Sequence, residues 1–302
     1  MTADLQRVEH PPPVPDRPAD AHKGTFGTVI IVGGSPAMMG APALCAAAAL
    51  RSGAGLVKIA TAPIVLAVAL AVEPGATGIP LDDLSDDADA SAGRIDEADP
   101  DASAVLAVGP GLGRTAGAGR LVMRLLEAGG RAVVLDADGL NHLAATGKAA
   151  LRPPKTGPLV LTPHPGEFAR LAKPLGITHS PTDPNTRPAA AAALAQAHGA
   201  VVLLKGPHTV VTDGHRLYVN QTGNPALATA GSGDVLTGLI AALIAQHLQP
   251  FDAAALAAHL HGLAADLWSG QHGPSGLTAR DLANLLPDAF NQRRGPATRR
   301  YQ

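Results

Sequence analysis

Cysteine, aromatic side chains and lysine are all scarce in this 302-residue chain, which also lacks a strong net charge and any long apolar run. Each scarcity excludes something. A single cysteine, Cys45, cannot close an internal disulfide, so the fold needs no oxidising compartment and a cytoplasmic setting is expected. Four Phe, two Tyr and one Trp are too few for base-stacking platforms. The formal charge of -2, from 23 basic and 25 acidic residues, offers no general field for nucleic acid or an anionic membrane, and neither partner is expected. The longest oily stretch, from Ile59 to Val72, is interrupted by Thr61 and Pro63 and falls short of the roughly 20 residues that span a bilayer.

Lysine is outnumbered by arginine, 6 to 17, so each lysine invites inspection. Residues 1–22, rich in proline, hold no signal-peptide core and read as a loose leader; the arginine-rich residues 291–302 read as a solvated tail.

What is present is a core-forming composition, 46 % apolar, cut by 34 Gly and 27 Pro. Short β-branched runs alternate with Ala/Leu-rich stretches of helical length. TVIIV (28–32), GLVKIAT (55–61), AVLAV (104–108), AVVLD (132–136), LVLT (159–162) and AVVLLK (200–205) have the unbroken apolar character of buried parallel strands. Ala41 to Arg51 reads as the first helix. This is the grammar of an α/β sheet with helices on both faces. After residue 208 the rhythm changes, and TVVT, Asp213-Gly214 and HRLYVN predict a hairpin around a type I′ turn, hence an antiparallel edge. Val235, Leu236, Leu239, Ile240, Leu243 and Ile244 predict a helix with one buried face. Another helix is predicted over 253–268, and Thr278 with Asp281 reads as a capping box opening a short last one. The acidic stretch 81–101 lacks periodicity and reads as a surface loop.

Several segments can carry chemistry. In Ala230-Gly231-Ser232-Gly233-Asp234, two glycines let backbone N–H groups converge where a helix begins, which favours a phosphate or a developing anion. Asp234 at that corner is placed to take a proton from a hydroxyl attacking a phosphoryl group; the plainer alternative is a helix cap. No Walker A pattern occurs. Lys205-Gly206-Pro207-His208-Thr209 ends a buried strand, a favoured ligand position, where Lys205 can meet phosphate and Gly206 lets backbone approach; the alternative is an ordinary strand exit.

Gly111, Gly113 and Ala116 fit GxGxxA, and Asp136 ends the next strand, where a dinucleotide fold would place its ribose-binding acid. Against this, the unit lies mid-chain and Pro110 removes an N–H donor. Asp136 and Asp138 are also candidates for water-mediated contact with Mg2+, or Asp138 for a helix cap. His164, held between Pro163 and Pro165, is aimed for ligand contact or for a structural hydrogen bond. His259 and His261, two apart on a helix, face different ways and make a poor metal pair. Cys45, in LCAAAAL, reads as a buried small hydrophobe.

Taken in order, KGTFGTVIIVGGSPAMMGAPALCAAAALRSGAGLV (23–57), VGPGLGR (108–114), LDADGLN (135–141), LTPHPGEFARL (161–171), LLKGPHTVV (203–211) and GNPALATAGSGDVLTGLIAAL (223–243) resemble one family. It is that of the ADP- or ATP-dependent NAD(P)H-hydrate dehydratases, of the ribokinase-like superfamily. The resemblance runs from Lys23 to about Pro287 and is carried by the ordered set, since GSGD alone recurs in related kinases. It implies one α/β domain over 23–290, with a central, mostly parallel sheet, helices on both faces and an antiparallel edge.

It also implies a repair reaction that dehydrates hydrated NADH or NADPH by phosphorylating the ring hydroxyl and losing phosphate, ADP giving AMP, with Mg2+. By resemblance Asp234 is the base and also touches substrate. Gly231, Ser232 and Gly233 form the anion hole, and Lys205, Gly206, Pro207, His208, Thr209 and Gly233 bind nucleotide. Ala41, Gly111, Gly113 and His164 contact the hydrated dinucleotide. No metal ligand is assigned. A homo-oligomer, a tetramer, is implied. Only about 22 residues precede the first strand, so the epimerase domain often present in the family is expected on a separate chain or absent. An alcohol kinase of the same superfamily, a nicotinamide-dependent oxidoreductase built on the GxGxxA unit and a non-catalytic nucleotide-binding module stand as alternatives.

Overall fold

The computed structural model describes residues 5–81, 87–147 and 157–294. Ten strands form one sheet: β1 (Gln6–Arg7), β2 (Thr28–Val32), β3 (Leu56–Thr61), β4 (Thr77–Pro80), β5 (Val105–Val108), β6 (Val133–Leu135), β7 (Leu159–Leu161), β8 (Val201–Leu204), β9 (Val210–Thr212) and β10 (Arg216–Val219). Their order is β1-β10-β9-β8-β7-β6-β5-β2-β3-β4, parallel except where β9 runs against β8 and β10. The expected α/β architecture of ribokinase-like type, with its antiparallel edge, is the one observed.

The sheet is apolar on both sides, so successive residues of a strand feed different cores. Val29 and Ile31 of β2 join the layer formed by α1 (Ala41–Arg51), α8 (Ser232–Ala245), α9 (Pro250–His272) and α10 (Ala279–Arg294). Ile30 and Val32 join the layer of α3 (Ala88–Ala98), α4 (Ala116–Ala128), α5 (Asp138–Ala145), α6 (Pro165–Leu175) and α7 (Arg187–His198). The remaining helix, α2 (Pro63–Val72), covers the β3–β4 end.

α8 departs from its expected single buried face. Thr237, Gly238, Ala241 and Ala242 are buried along with Val235, Leu236, Leu239, Ile240 and Leu243, because α1 crosses it closely, while Ile244 is half-buried. A Cβ at Gly238 would lie 2.1 Å from the Cys45 carbonyl oxygen, so glycine is required at the crossing. Cys45 itself is fully buried, as expected.

Other expectations need correction. Residues 88–98 of the acidic stretch form α3, capped by Asp87 and turned inward on Ser91, Ala92 and Ile95; residues 82–86 lie outside the described residues. Its far end is fixed by Arg131, whose guanidinium donates at 2.7 Å to both Asp96 and Asp99. The described part of the leader is not loose: β1 pairs with β10, Arg17 stacks 3.5 Å above the Phe26 ring centroid, and the Pro11 carbonyl accepts from Arg293. α10 spans 16 residues rather than a short stretch, and runs through Arg294; residues 295–302 of the tail lie outside the described residues. The Thr278–Asp281 capping box does open it.

The hairpin is present but not with a type I′ turn. Thr212 pairs with Leu217, Asp213 lacks a positive φ, and its carboxylate accepts from the N–H groups of His215 and Arg216.

Candidate active site

The ends of the parallel strands meet the start of α8. Asp136 follows β6 and is 1 % exposed; Lys205 follows β8, and its Nζ donates to Asp136 Oδ1 at 2.7 Å. Asp136 Oδ2 accepts from the Thr237 hydroxyl at 2.7 Å, so the second turn of α8 is tied to β6 and β8. Glu167, also buried, lies 3.8 Å from Lys205 through Oε2. Burial alone would raise the Asp136 carboxyl, but the Lys205 charge and the donors around it hold it below the ordinary range. Burial works against the Lys205 charge, yet Asp136, Glu167 and Asp234 together raise its pKa. For Glu167 burial wins, aided by Asp136 and opposed by Lys205, and its carboxyl is raised.

Asp234 is the third residue of α8, not its cap. The cap position belongs to Gly231, whose φ of 85° only glycine adopts readily, and Asp234 makes no capping bond. Burial first and the Asp136 charge second push the Asp234 carboxyl up to about 7, against the pull of Lys205. A carboxylate that titrates near neutrality beside a helix N-terminus suits a general base. A Cβ built on Gly233 would lie 3.5 Å from Lys205 Nζ and 3.7 Å from Asp136 Oδ2, so this glycine faces the charged cluster directly.

Beside the cluster opens a cavity of about 550 Å³. Lys205, Gly206, Pro207, His208 and Thr209 form one wall, Ser232 and Gly233 another. The segment 220–225 and His261 complete it. The expected nucleotide residues and the anion-hole residues Ser232 and Gly233 therefore share one chamber of nucleotide size. The cap glycine, Gly231, packs outside its lining, against Leu44 and Ala279.

Ala41, Gly111 and Gly113, expected to contact the dinucleotide, lie where the strand order reverses, between β2 and β5, a switch point that favours ligands. The Gly34 N–H donates to the Pro110 carbonyl at 2.8 Å, joining the two glycine loops. A Cβ at Gly111 would come within 2.9 Å of Ala41 Cβ, so these two expected positions adjoin. Gly113 is held from both sides: its N–H donates to Asp138 Oδ2 at 2.9 Å, and its carbonyl lies 2.8 Å from His142 Nε2. Asp138 is thus neither a cap nor a free acid; Ala137 takes the cap position of α5.

His164 caps α6. Its Nδ1 accepts from the N–H groups of Gly166 and Glu167, so the exposed Nε2 carries the proton and lies 3.4 Å from Glu167 Oε1. The structural hydrogen bond expected of it is present, and its other edge faces the solvent beside the charged cluster.

The dinucleotide-fingerprint reading loses its acid here. Asp136 is buried with both oxygens committed, and the Gly113 N–H is consumed by Asp138 rather than offered to a pyrophosphate. In the sequence Glu167 stands out only as part of its motif, and nothing local marks Thr237, Arg187 or His142. His261 was weighed only as a metal ligand; it lines the cavity and binds the Ser232 carbonyl at 2.9 Å, with burial lowering its pKa to about 4. The buried face of the helix that carries it was the available signal.

The sequence matches the NAD(P)H-hydrate dehydratase family over residues 29–288. It is 46 % identical over 283 residues to a bifunctional NAD(P)H-hydrate repair enzyme of Moorella thermoacetica, which covers 91 % of this chain and 51 % of that protein. The chain spans about half the length of the bifunctional relatives it matches. It is 42 % identical to an ADP-dependent (S)-NAD(P)H-hydrate dehydratase of Neisseria meningitidis, over 88 % of this chain and 86 % of that one. The crystal structure of the ADP/ATP-dependent NAD(P)H-hydrate dehydratase of Bacillus subtilis, co-crystallised with ATP and Mg2+, superposes with a TM-score of 0.78. Its identity is 34 %, covering 93 % of this chain and 95 % of the other. With the family match covering most of its length and the charged cluster set beside a nucleotide-sized chamber, the chain belongs to the NAD(P)H-hydrate dehydratase family.

Proposed function

We propose that this site dehydrates hydrated NADH or NADPH at the expense of ADP, which leaves as AMP, or of ATP. The observation that carries the reading is Asp234, an uncapped carboxylate raised to about 7, beside the cavity lined by Lys205 to Thr209. The nucleotide occupies that cavity with its terminal phosphate toward the amides of Ser232 and Gly233, where the start of α8 adds positive potential. Lys205 draws phosphate oxygens from the same side. The hydrated ring lies toward Ala41, Gly111, Gly113 and His164.

Asp234 takes the proton of the ring hydroxyl as that oxygen bonds to the terminal phosphorus, and the bridging P–O bond breaks toward the nucleotide. The ring nitrogen lone pair then expels phosphate with its ring C–O bond, and proton loss from the adjacent carbon restores the double bond. Among the described residues no cluster of three or more His, Cys, Asp or Glu is arranged for a metal. The carboxylates of Asp136 and Glu167 are buried and bonded within the protein, so a Mg2+ arriving with the nucleotide would take its ligands from phosphate and water. Such an ion, when bound, supplies charge neutralisation on the transferring phosphoryl group.

The family's self-association is supported by the apolar stripe of α2, where Ile64 is 62 % exposed and Val68 and Val72 are each 38 % exposed. Light scattering that gives a tetramer agrees with this part of the reading, and a monomer contradicts it. Among the described residues no helix is long and apolar enough to cross a membrane.

The test is incubation of the pure protein with the hydrate and ADP, ATP or neither. Recovery of the reduced nicotinamide absorbance, dependent on nucleotide, is expected. A phosphorylated alcohol accumulating without that recovery would assign the site to an alcohol kinase instead.

A further inference from the structure

Arg187 opens α7 and turns its guanidinium beneath the loop that follows β8. The residue is 6 % exposed. One terminal nitrogen donates to the Leu204 carbonyl at 2.8 Å and the other to the Pro207 carbonyl at 2.6 Å, while Nε has no hydrogen-bond partner. Among the described residues no carboxylate balances it; burial is the one influence on its ionisation, and it lowers the pKa. A buried cation without a counter-charge is costly. Its place in the first turn of a helix adds a second penalty, because that end already carries positive potential. A methionine would fill the same space without either cost.

The loop above it explains what the charge accomplishes. A Cβ at Gly206 would lie 2.8 Å from an Arg187 nitrogen, so the guanidinium packs directly on the loop backbone. His208 sits at φ 52°, a left-handed conformation unusual for a residue with a side chain. The peptide joining Pro207 to His208 is planar and trans, so its carbonyl and N–H point to opposite sides. Drawing the Pro207 oxygen down to Arg187 therefore aims the His208 N–H away from the guanidinium, toward the cavity that both residues line. Among the described residues that N–H has no acceptor.

We infer that Arg187 is a positioning residue for the nucleotide: it fixes the Pro207–His208 peptide so that the His208 N–H meets an anionic phosphate oxygen, and its unbalanced charge attracts the same anion through one layer of backbone. The inference rests on the nucleotide reading of the cavity. The bound nucleotide then supplies the counter-charge that the protein withholds.

The test compares wild-type protein, R187M and R187K, each as the full chain, by calorimetric titration with ADP and with adenosine, together with steady-state dehydration. Losing a hydrogen bond to a charged group and a nearby cation is expected to weaken ADP binding about tenfold or more in R187M, and less in R187K. Adenosine, which lacks phosphate, binds all variants alike. KM for ADP rises while kcat at saturating ADP and KM for the hydrate stay within about twofold, the pattern of lost ground-state binding.

ADP and adenosine weakened in parallel would make Arg187 a purely structural residue and overturn the inference, as would unchanged ADP affinity in a folded variant. Should R187M fail to fold, R187K decides on the same criteria. Wild-type protein that binds neither ligand refutes the nucleotide reading itself, whereas normal wild-type binding with an unaffected R187K refutes only the role given to Arg187.

Discussion

Replacing Asp234 by Asn separates catalysis from stability, because the account assigns the two opposite signs. The carboxyl is raised from its ordinary 3.8 to about 7, chiefly by burial and then by the charge of Asp136. Below about pH 3.8 it is protonated in the folded and unfolded chains alike and costs nothing. Between that pH and about 7 the unfolded chain ionises more readily, so folding loses stability as the pH rises, and above 7 the full penalty applies. A shift of that size sets a ceiling of about 4 kcal/mol, and partial contact with solvent reduces the expected figure to about 2 kcal/mol.

D234N removes the charge with little change of shape, so at pH 8 it is expected to melt a few degrees above the wild-type protein. At pH 4 the two should melt together. Turnover moves the other way: loss of a general base lowers kcat by roughly 10²- to 10⁴-fold, with nucleotide binding largely retained. The assay is a thermal melt at the two pH values beside the nicotinamide-recovery assay and an ADP titration. A variant that is less stable at pH 8 and only modestly slower would show that Asp234 holds the helix together, and would refute the assignment of a base.

Four further outcomes follow from the same geometry. With its pKa about 7, Asp234 is about one-tenth ionised at pH 6 and about nine-tenths at pH 8, so kcat/KM should climb about tenfold between them. D136N removes a like charge and frees Lys205 to attract Asp234, moving that limb to lower pH; a limb that stays put belongs to the nucleotide, whose terminal phosphate titrates near pH 6. G233A places a methyl in ordinary contact with Lys205 and Asp136 and suits the helix, so its melting temperature should hold or rise while KM for ADP increases severalfold in initial-rate measurements. D138A frees the Gly113 N–H and loosens the loop at the switch point, which should raise KM for the hydrate but not for ADP; an equal rise in both would contradict the division of the site into two halves.

Much of the fold was legible because its signal is local. Unbroken runs such as TVIIV and AVLAV can be buried on both faces only as central parallel strands, and the sheet places them so. α3 was missed because its composition is acidic and its inward face amounts to Ser91, Ala92 and Ile95; it is anchored by Arg131, whose partners Asp96 and Asp99 lie more than thirty residues away. β1 was missed for a similar reason, as its two residues of strand pair with β10, more than two hundred positions along the chain.

The site divides along the same line. Glycines that need positive φ and a helix start announce themselves, so the Gly231 to Asp234 corner and the Lys205 to Thr209 loop could be read directly. Pairing could not. Nothing local links Lys205 to Asp136 across 69 positions, Thr237 to Asp136 across 101, or Arg187 to the Pro207 carbonyl. Those long-range bonds turned Asp136 from a candidate ribose ligand into the buried partner of a lysine, and raised Glu167 from a motif letter to a member of the charged cluster.

The most direct measurement is a crystal structure of the protein with Mg2+ and a non-transferable ADP analogue. The account predicts the terminal phosphate against the backbone amides of Ser232 and Gly233, within reach of Lys205, with the Asp234 carboxylate facing it across the space left for a hydroxyl. A terminal phosphate lodged instead along Gln221 to Pro225, or outside the cavity, with no anion at the start of α8, would contradict it.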